Sequence, residues 1–146
     1  MNSLRVEKKN IYKIEVNDNG EYIEFDVEDI GLRARCYKAL DKIKAIEKEY
    51  KEKAKKVKSF KDSALLEADM FVELRNAMDE FLGEGACQKI FGDRNYADMF
   101  NDLLEELTKP REELGGKSHF DMIKISAEAT NKKVMDKYKK VSKKSI

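Results

Sequence analysis

Residues 78–107 decide how the chain folds, and they read MDEFLGEGACQKIFGDRNYADMFNDLLEEL. Gly83, Gly85 and Gly92 interrupt an otherwise helical apolar pattern in this stretch. Because glycine readily adopts the backbone conformations found at helix ends, the pattern predicts helix, tight turn, short helix, turn and helix. Asn95 stands where we expect the N-cap of the last helix. The apolar side chains are spaced to face one core, and they are Phe81, Leu82, Ile90, Phe91, Met99, Phe100, Leu103 and Leu104.

The sequence before this stretch predicts a β-hairpin over residues 11–27. Apolar side chains alternate with charged ones on both sides of a turn at residues 17–20. A lone two-stranded hairpin is marginal in water, so it must either lie on the helices or gain strands from another subunit. We therefore expect the chain to self-associate as a homo-oligomer, with Ile14 and Phe25 at the contact.

Two more helical patterns lie between the hairpin and the glycine-rich stretch. The first covers residues 30–60 with a narrow apolar stripe bordered by lysines, and the second covers residues 64–82. We expect them to pair as an antiparallel helical hairpin. The predicted fold class is α+β and mainly α. It comprises an N-terminal β-hairpin at residues 1–31, a helical core at residues 32–114 and a basic C-terminal helix or tail at residues 115–146.

The sequence also shows a pattern where the helical core meets the basic C-terminal segment, around residue 115. Gly115 and Gly116 predict a hinge after the helix that ends before Pro110. Ser118 and Asp121 then match the spacing of a capping box at the start of the final helix. We therefore expect the C-terminal segment to begin as a capped helix beyond a flexible joint.

Composition places the chain among small globular proteins. It has 146 residues, of which 41% are hydrophobic and 40% are charged, so it is long enough for one core and too apolar for a disordered chain. Cys36 and Cys87 are too few for a disulfide framework, which predicts reduced thiols. No apolar run is long enough for a membrane span or a signal peptide, so we expect a cytoplasmic location.

Charge is segregated along the chain although the net charge is only +1. Residues 32–61 carry 12 basic and 4 acidic side chains, a net charge of +8, and residues 62–114 carry 5 and 14, a net charge of −9. Residues 115–146 carry 9 basic and 3 acidic side chains, a net charge of +6. Packing of the second segment on the third would pair these charges, which leaves the basic C-terminal segment as the candidate interaction arm.

No pattern of an enzyme, a metal site or a cofactor site is present in the sequence. Gly115, Gly116, Lys117 and Ser118 resemble the end of a phosphate-binding loop, but Arg111 occupies the position of the required first glycine. His119 is the single histidine, so a zinc site or a catalytic pair built on imidazoles lacks a second member. We therefore expect a non-catalytic protein with no metal and no cofactor.

The hairpin, the lysine-rich helix and the segment FLGEGACQKIFGDRNYADMFNDLLEEL together resemble the tail assembly chaperones of long-tailed bacteriophages and of prophages in Gram-positive hosts. The resemblance covers roughly residues 10–120. It implies a small protein of the bacterial cytoplasm that coats the tape measure protein, recruits tail-tube subunits and is absent from the mature virion. Methionine and aromatic residues suit such adaptable binding of helices.

The pattern of aromatic side chains suggests where a partner binds. We expect the partner-binding surface to involve Phe81, Phe91, Tyr96 and Phe100. Two alternatives to the chaperone stay open. One is a small nucleic-acid-binding regulator that uses the basic segments, although aromatics do not interleave with the lysines and nucleic acid is the less favoured partner. The other is a scaffold subunit that remains in a phage particle.

Overall fold

A computed structural model describes residues 1–123, 132 and 135–137. These residues form strands β1 (Ile11–Glu15) and β2 (Tyr22–Asp26), helices α1 (Gly31–Ala54), α2 (Phe60–Leu82), α3 (Ala86–Phe91) and α4 (Met99–Thr108), and a 3₁₀ turn (Glu112–Leu114). Residues 119–123 are also helical. This architecture confirms the predicted α+β, mainly α fold class. Most of the predicted basic helix or tail at residues 115–146 lies outside the described residues.

The hairpin forms at the predicted place because apolar and charged side chains alternate along its strands, which gives it one apolar face. Strands β1 and β2 pair as an antiparallel hairpin, and Ile23 and Phe25 are buried while Glu24 between them is exposed. The Val16 amide donates to the Glu21 carbonyl at 3.0 Å, which closes the turn. Inside it, the Asn17 side-chain oxygen accepts from the amides of Asn19 and Glu21 at 2.9 and 3.2 Å.

Contacts group the chain into two units, each built from separate segments. One unit contains residues 15–23 and 33–97, and the described part of the other contains residues 1–14, 24–32, 98–123, 132 and 135–137. The three segments predicted from the sequence, with boundaries at 31/32 and 114/115, stay a prediction. Among the described residues, no helix is long and apolar enough to cross a lipid bilayer.

Helices α1 and α2 run antiparallel in the unit of residues 15–23 and 33–97. Lys42 on α1 forms an ion pair with Glu80 on α2 at 2.7 Å, and the Tyr50 hydroxyl hydrogen-bonds the Glu73 carboxylate. The later residue on α1, Tyr50, contacts the earlier residue on α2, Glu73, so the two helices run in opposite directions. This is the predicted antiparallel pairing. Within this unit, the buried apolar side chains on the two helices are Ala39, Ile43, Tyr50, Leu74, Ala77, Met78, Phe81 and Leu82.

The end of α1 and the start of α2 differ from the predicted positions. Helix α1 ends at Ala54 instead of residue 60, and α2 begins at Phe60 instead of residue 64. The cause is Ser59, whose hydroxyl accepts from the Asp62 amide at 3.1 Å and so starts the helix early. Gly83 ends α2 as predicted, with a φ of 110° that an L-residue rarely adopts.

In the unit of residues 1–14, 24–32 and 98–123, α4 is a clearly amphipathic helix. Its buried residues are Met99, Phe100, Leu103 and Leu107, and charged side chains cover its other side. The prediction of Asn95 as N-cap was wrong, because Asp98 occupies that position. Asn95 belongs to the unit of residues 15–23 and 33–97, where it accepts a hydrogen bond from Arg75 of the same unit.

The predicted hinge at Gly115 and Gly116 is a closed loop. The Arg111 amide donates to the Lys117 carbonyl at 3.0 Å, and the Gly116 amide donates back to the Arg111 carbonyl at 2.8 Å. The predicted capping box is confirmed. The Ser118 amide donates to the Asp121 carboxylate and the Asp121 amide donates to the Ser118 hydroxyl, both at 3.0 Å.

Candidate partner-binding site

The candidate site is held in place by a carboxylate at the junction of α2 and α3. Asp79 on α2 accepts from the Gly85 amide at 3.3 Å and from the Cys87 amide at 2.9 Å. These are amides of the first turn of α3, which has no intrahelical acceptors for them. The short helix α3 is therefore fastened to α2 by its N-terminal end, and this fixes the position of its C-terminal residue, Phe91.

The Cys87 thiol lies in the same junction and is only 1% exposed. Burial, together with a hydrogen bond to Asp79, raises the pKa of this thiol well above its usual range. Burial also raises the pKa of the Cys36 thiol. Both cysteines are free, and the raised pKa of each thiol favours its neutral form.

Arg75 holds the loop that follows α3. Its Nε donates to the side-chain oxygen of Asn95 at 2.7 Å, and a terminal nitrogen of the same guanidinium donates to the Arg94 carbonyl at 2.8 Å. The loop itself starts at Gly92, whose φ of 63° turns the chain away from α3. One planar guanidinium thus fixes both a side chain and the backbone of the loop.

This arrangement brings two aromatic rings together. Phe91 and Tyr96 meet edge to face, with ring centroids 6.2 Å apart and an interplanar angle of 78°. The guanidinium of Arg75 lies 6.0 Å from the Phe91 ring centroid, and that of Arg94 lies 4.5 Å from the Tyr96 centroid. We call Arg75, Phe91, Arg94 and Tyr96 the aromatic–arginine cluster. Its two rings are half-buried and Arg94 is exposed.

The predicted partner-binding residues divide into two pairs. Phe91 and Tyr96 meet in the aromatic–arginine cluster, whereas Phe81 and Phe100 are 7% and 8% exposed and belong to the core. Two interior rings offer no surface to a partner of the folded chain, and the prediction that the remaining two bind a partner stays a prediction. Arg75 and Arg94 were not predicted from the sequence, because no local sequence pattern indicates which arginine will lie over an aromatic ring in the folded chain.

The two residues predicted to mediate self-association, Ile14 and Phe25, differ in how far their side chains are buried. Phe25 is 2% exposed, so its side chain is a core residue, and Ile14 is half-buried. Their role in self-association stays a prediction. Phe25 could contribute to it only through the hairpin backbone, because its ring is already covered.

A second polar cluster, which the sequence did not predict, joins residues far apart in the chain. The Tyr12 hydroxyl and the His119 Nδ1 form a 2.6 Å hydrogen bond, and Arg111 contacts Glu106 at 2.8 Å and Glu113 at 3.4 Å. Burial lowers the pKa of His119, and the positive charge of Arg111 lowers it further. Burial raises the pKa of Tyr12. His119 lies in the first turn of the helix at residues 119–123, and its lowered pKa favours the neutral form.

Across the part of the chain that the structure describes, no three His, Cys, Asp or Glu side chains are grouped so that they could bind one metal ion. The segment of Gly115, Gly116 and Lys117 belongs to the closed loop described above and follows a 3₁₀ turn, whereas a phosphate-binding loop follows a strand.

Comparison with known proteins gives one family. Neither the search of curated proteins nor the search of solved structures finds a match to the chain. One sequence profile, that of a family of unknown function designated DUF6673, matches residues 19–145 and so includes α1 to α4 and the aromatic–arginine cluster. The chain therefore belongs to the DUF6673 family.

Proposed function

We propose that this protein is a non-catalytic tail assembly chaperone of a long-tailed phage or prophage, and that it binds the tape measure protein through the aromatic–arginine cluster. The single observation that supports the binding surface is the contact of two half-buried rings with two guanidinium groups. The phage role rests on the resemblance of the segment FLGEGACQKIFGDRNYADMFNDLLEEL, which contains three of the four cluster residues.

The chemistry of the cluster suits a helical client. Tyrosine and arginine are the residue types most enriched at the energetic centres of protein interfaces, since they combine apolar area with a polar end. An amphipathic client helix would place an apolar side chain against Phe91 and Tyr96 and a carboxylate near Arg94. A long helical tape measure protein offers many such sites, and recruitment of tail-tube subunits would use another face of the chaperone. This activity belongs in the bacterial cytoplasm before the virion is complete.

The first prediction concerns binding of the client. Co-expression with the tape measure protein of the same phage should keep that protein soluble and recover it in complex with this chain. Tyr96→Ala should reduce the recovered client about tenfold or more, because truncation of an interface tyrosine removes a large contact area. The matched control is Tyr37→Ala, which removes a 58% exposed tyrosine on α1. No co-purification with the unmodified chain, or an equal loss with Tyr37→Ala, would contradict the proposal.

A second experiment separates the chaperone from a scaffold subunit. Mass spectrometry of purified particles should find tail-tube and tape measure proteins without this chain. Its presence in mature particles at a fixed ratio to the tail-tube protein would favour the scaffold subunit.

One observation favours the nucleic-acid alternative. Helix α1 exposes four basic side chains at helical spacing on one face, and these are Arg33, Lys44, Lys48 and Lys51. A phosphate backbone would bind such a face with a strong dependence on salt. Fluorescence anisotropy with duplex DNA at physiological ionic strength tests this alternative, and we expect no binding.

A further inference from the structure

The β-hairpin contacts the end of α3 that leads into the candidate site. The side-chain nitrogen of Asn17 donates to the Lys89 carbonyl at 3.0 Å, across 72 positions of the chain. In return, the Lys89 ammonium donates to the Tyr22 carbonyl at 3.3 Å. We call this reciprocal pair of hydrogen bonds the turn clamp. Its three residues belong to the unit of residues 15–23 and 33–97, as do all four residues of the aromatic–arginine cluster.

Helix α3 needs such a contact at its C-terminal end. It has only six residues, and short helices are marginal in water without tertiary contacts. Asp79 holds its first turn, where Ala86 and Cys87 are 2% and 1% exposed. Burial then decreases along the helix, and the side chains of residues 89–91 are only half-buried. A helix held at one end can tilt about that end, so the turn clamp restricts the half of α3 that packing covers least.

The chemistry of the turn clamp suits a helix end. Carbonyls in the last turn of a helix lack intrahelical donors, so the Lys89 carbonyl is available to a side-chain donor. The Asn17 side chain is already held in place, because its oxygen accepts from the amides of Asn19 and Glu21 at 2.9 and 3.2 Å. Little further conformational entropy is therefore lost when its nitrogen bonds α3. Phe91 lies only two residues beyond the clamped carbonyl.

From these contacts we propose that the hairpin turn positions the aromatic–arginine cluster, with Asn17 as the positioning residue. By holding the end of α3, Asn17 keeps Phe91 where its ring meets Tyr96 edge to face. The same contact keeps the Phe91 ring centroid 6.0 Å from the Arg75 guanidinium. The consequence for client binding rests on the proposed function, whereas the effect on the geometry of the cluster does not.

Asn17→Asp separates the turn clamp from the turn itself. The carboxylate still accepts from the amides of Asn19 and Glu21, but it has no hydrogen to donate to the Lys89 carbonyl. Asn17→Ser gives the same loss without a new charge, since its shorter hydroxyl replaces only the turn acceptor. The matched control is Asn19→Asp, which puts a carboxylate on an exposed residue of the same turn. Circular dichroism checks that each variant keeps its helices.

Nuclear magnetic resonance of the full chain tests the geometry of the cluster without a client. The Gly92 amide donates to a carbonyl of α3 at 2.9 Å, so its hydrogen exchange reports the end of that helix. Both Asn17 variants should speed this exchange about fivefold or more and reduce the ring-current shifts between the two cluster rings. Asn19→Asp should change neither quantity. Exchange of the Gly83 amide, at the end of α2, should stay the same in every variant.

Recovery of the co-expressed tape measure protein tests the consequence for binding. Asn17→Asp should lower the recovered client about threefold or more, because a loosened site must be ordered when it binds. Asn19→Asp should recover as much as the unmodified chain. Unchanged exchange and ring shifts in both Asn17 variants, equal changes with Asn19→Asp, or normal recovery of the client despite a changed cluster would each overturn the proposal. No recovery with the unmodified chain would instead contradict the proposed function, and the resonance measurements would still decide whether Asn17 positions the cluster.

Discussion

Asp79 is the residue on which the geometry of the candidate site depends. Its carboxylate accepts from two amides at the start of α3, and its hydrogen bond to Cys87 helps keep that thiol neutral. Buried or half-buried amides without a partner are costly, because they lose their hydrogen bonds to water and gain none in return. A single acidic side chain on α2 therefore holds the start of α3.

We predict that Asp79→Ala lowers the free energy of unfolding by about 1–3 kcal/mol, because the Gly85 and Cys87 amides are left without their acceptor. Urea denaturation followed by circular dichroism measures the change. The neighbouring Glu80→Ala is the matched control. Its ion pair with Lys42 joins two side chains that are about half exposed, so its loss should cost about 0–1 kcal/mol. Equal effects of the two substitutions would show that the amide contacts are not what stabilises the junction.

At the scale of elements, α1 and α2 are joined by a hydrogen bond whose donor, the Tyr50 phenol, loses its proton at high pH. Tyr50 is 7% exposed, and its hydrogen bond to the Glu73 carboxylate, with burial as a smaller cause, raises the pKa of Tyr50 from 10.0 to about 12. The folded chain therefore keeps this phenol protonated where the unfolded chain has lost the proton. The stabilisation is fully present below pH 10 and is lost as the pH rises from 10 to about 12.

We predict that the unfolding midpoint in urea falls more steeply with pH in the unmodified chain than in Tyr50→Phe between pH 10 and 12. Comparison with the phenylalanine variant cancels the titration of lysines and of the other tyrosines. An ultraviolet titration of the folded chain should also show late ionisation of Tyr50, and the variant should have one late-ionising tyrosine fewer, while Tyr12, whose pKa burial also raises, remains. Parallel pH profiles for the two proteins would exclude the proposed coupling.

At the scale of the whole molecule, the chain combines a net charge of +1 with strongly charged segments of opposite sign. Its isoelectric point is about 7.6, so repulsion between copies is weakest near neutral pH while attraction between unlike segments persists. The chain is thus suited to associate with itself or with a mixed-charge partner under cellular conditions, and salt should weaken that attraction.

We predict that the light-scattering interaction parameter of the unmodified chain is most attractive near pH 7.6 and becomes less attractive when salt is added. An interaction parameter that is indifferent to salt would contradict an electrostatic origin.

The sequence alone determined the features that a few neighbouring residues encode. The alternation around Phe25 produced the hairpin, Gly83 and Gly92 ended helices where predicted, and Ser118 with Asp121 formed the capping box. These predictions hold because strand periodicity, left-handed glycine backbone and helix caps are local preferences. The start of α2 was predicted four residues late for the same reason, since the cap at Ser59 lies before the apolar pattern that the prediction followed.

Only the tertiary structure decided which distant side chains meet. Arg75 reaches Asn95 twenty positions away, and Tyr12 reaches His119 across 107 positions. It also decided that Phe81 is core while Phe91 is half-buried, a distinction that helical spacing alone does not make. The physical reason is that such contacts depend on how whole elements pack, and the free energy of packing is a sum over many side chains whose partners no local pattern specifies.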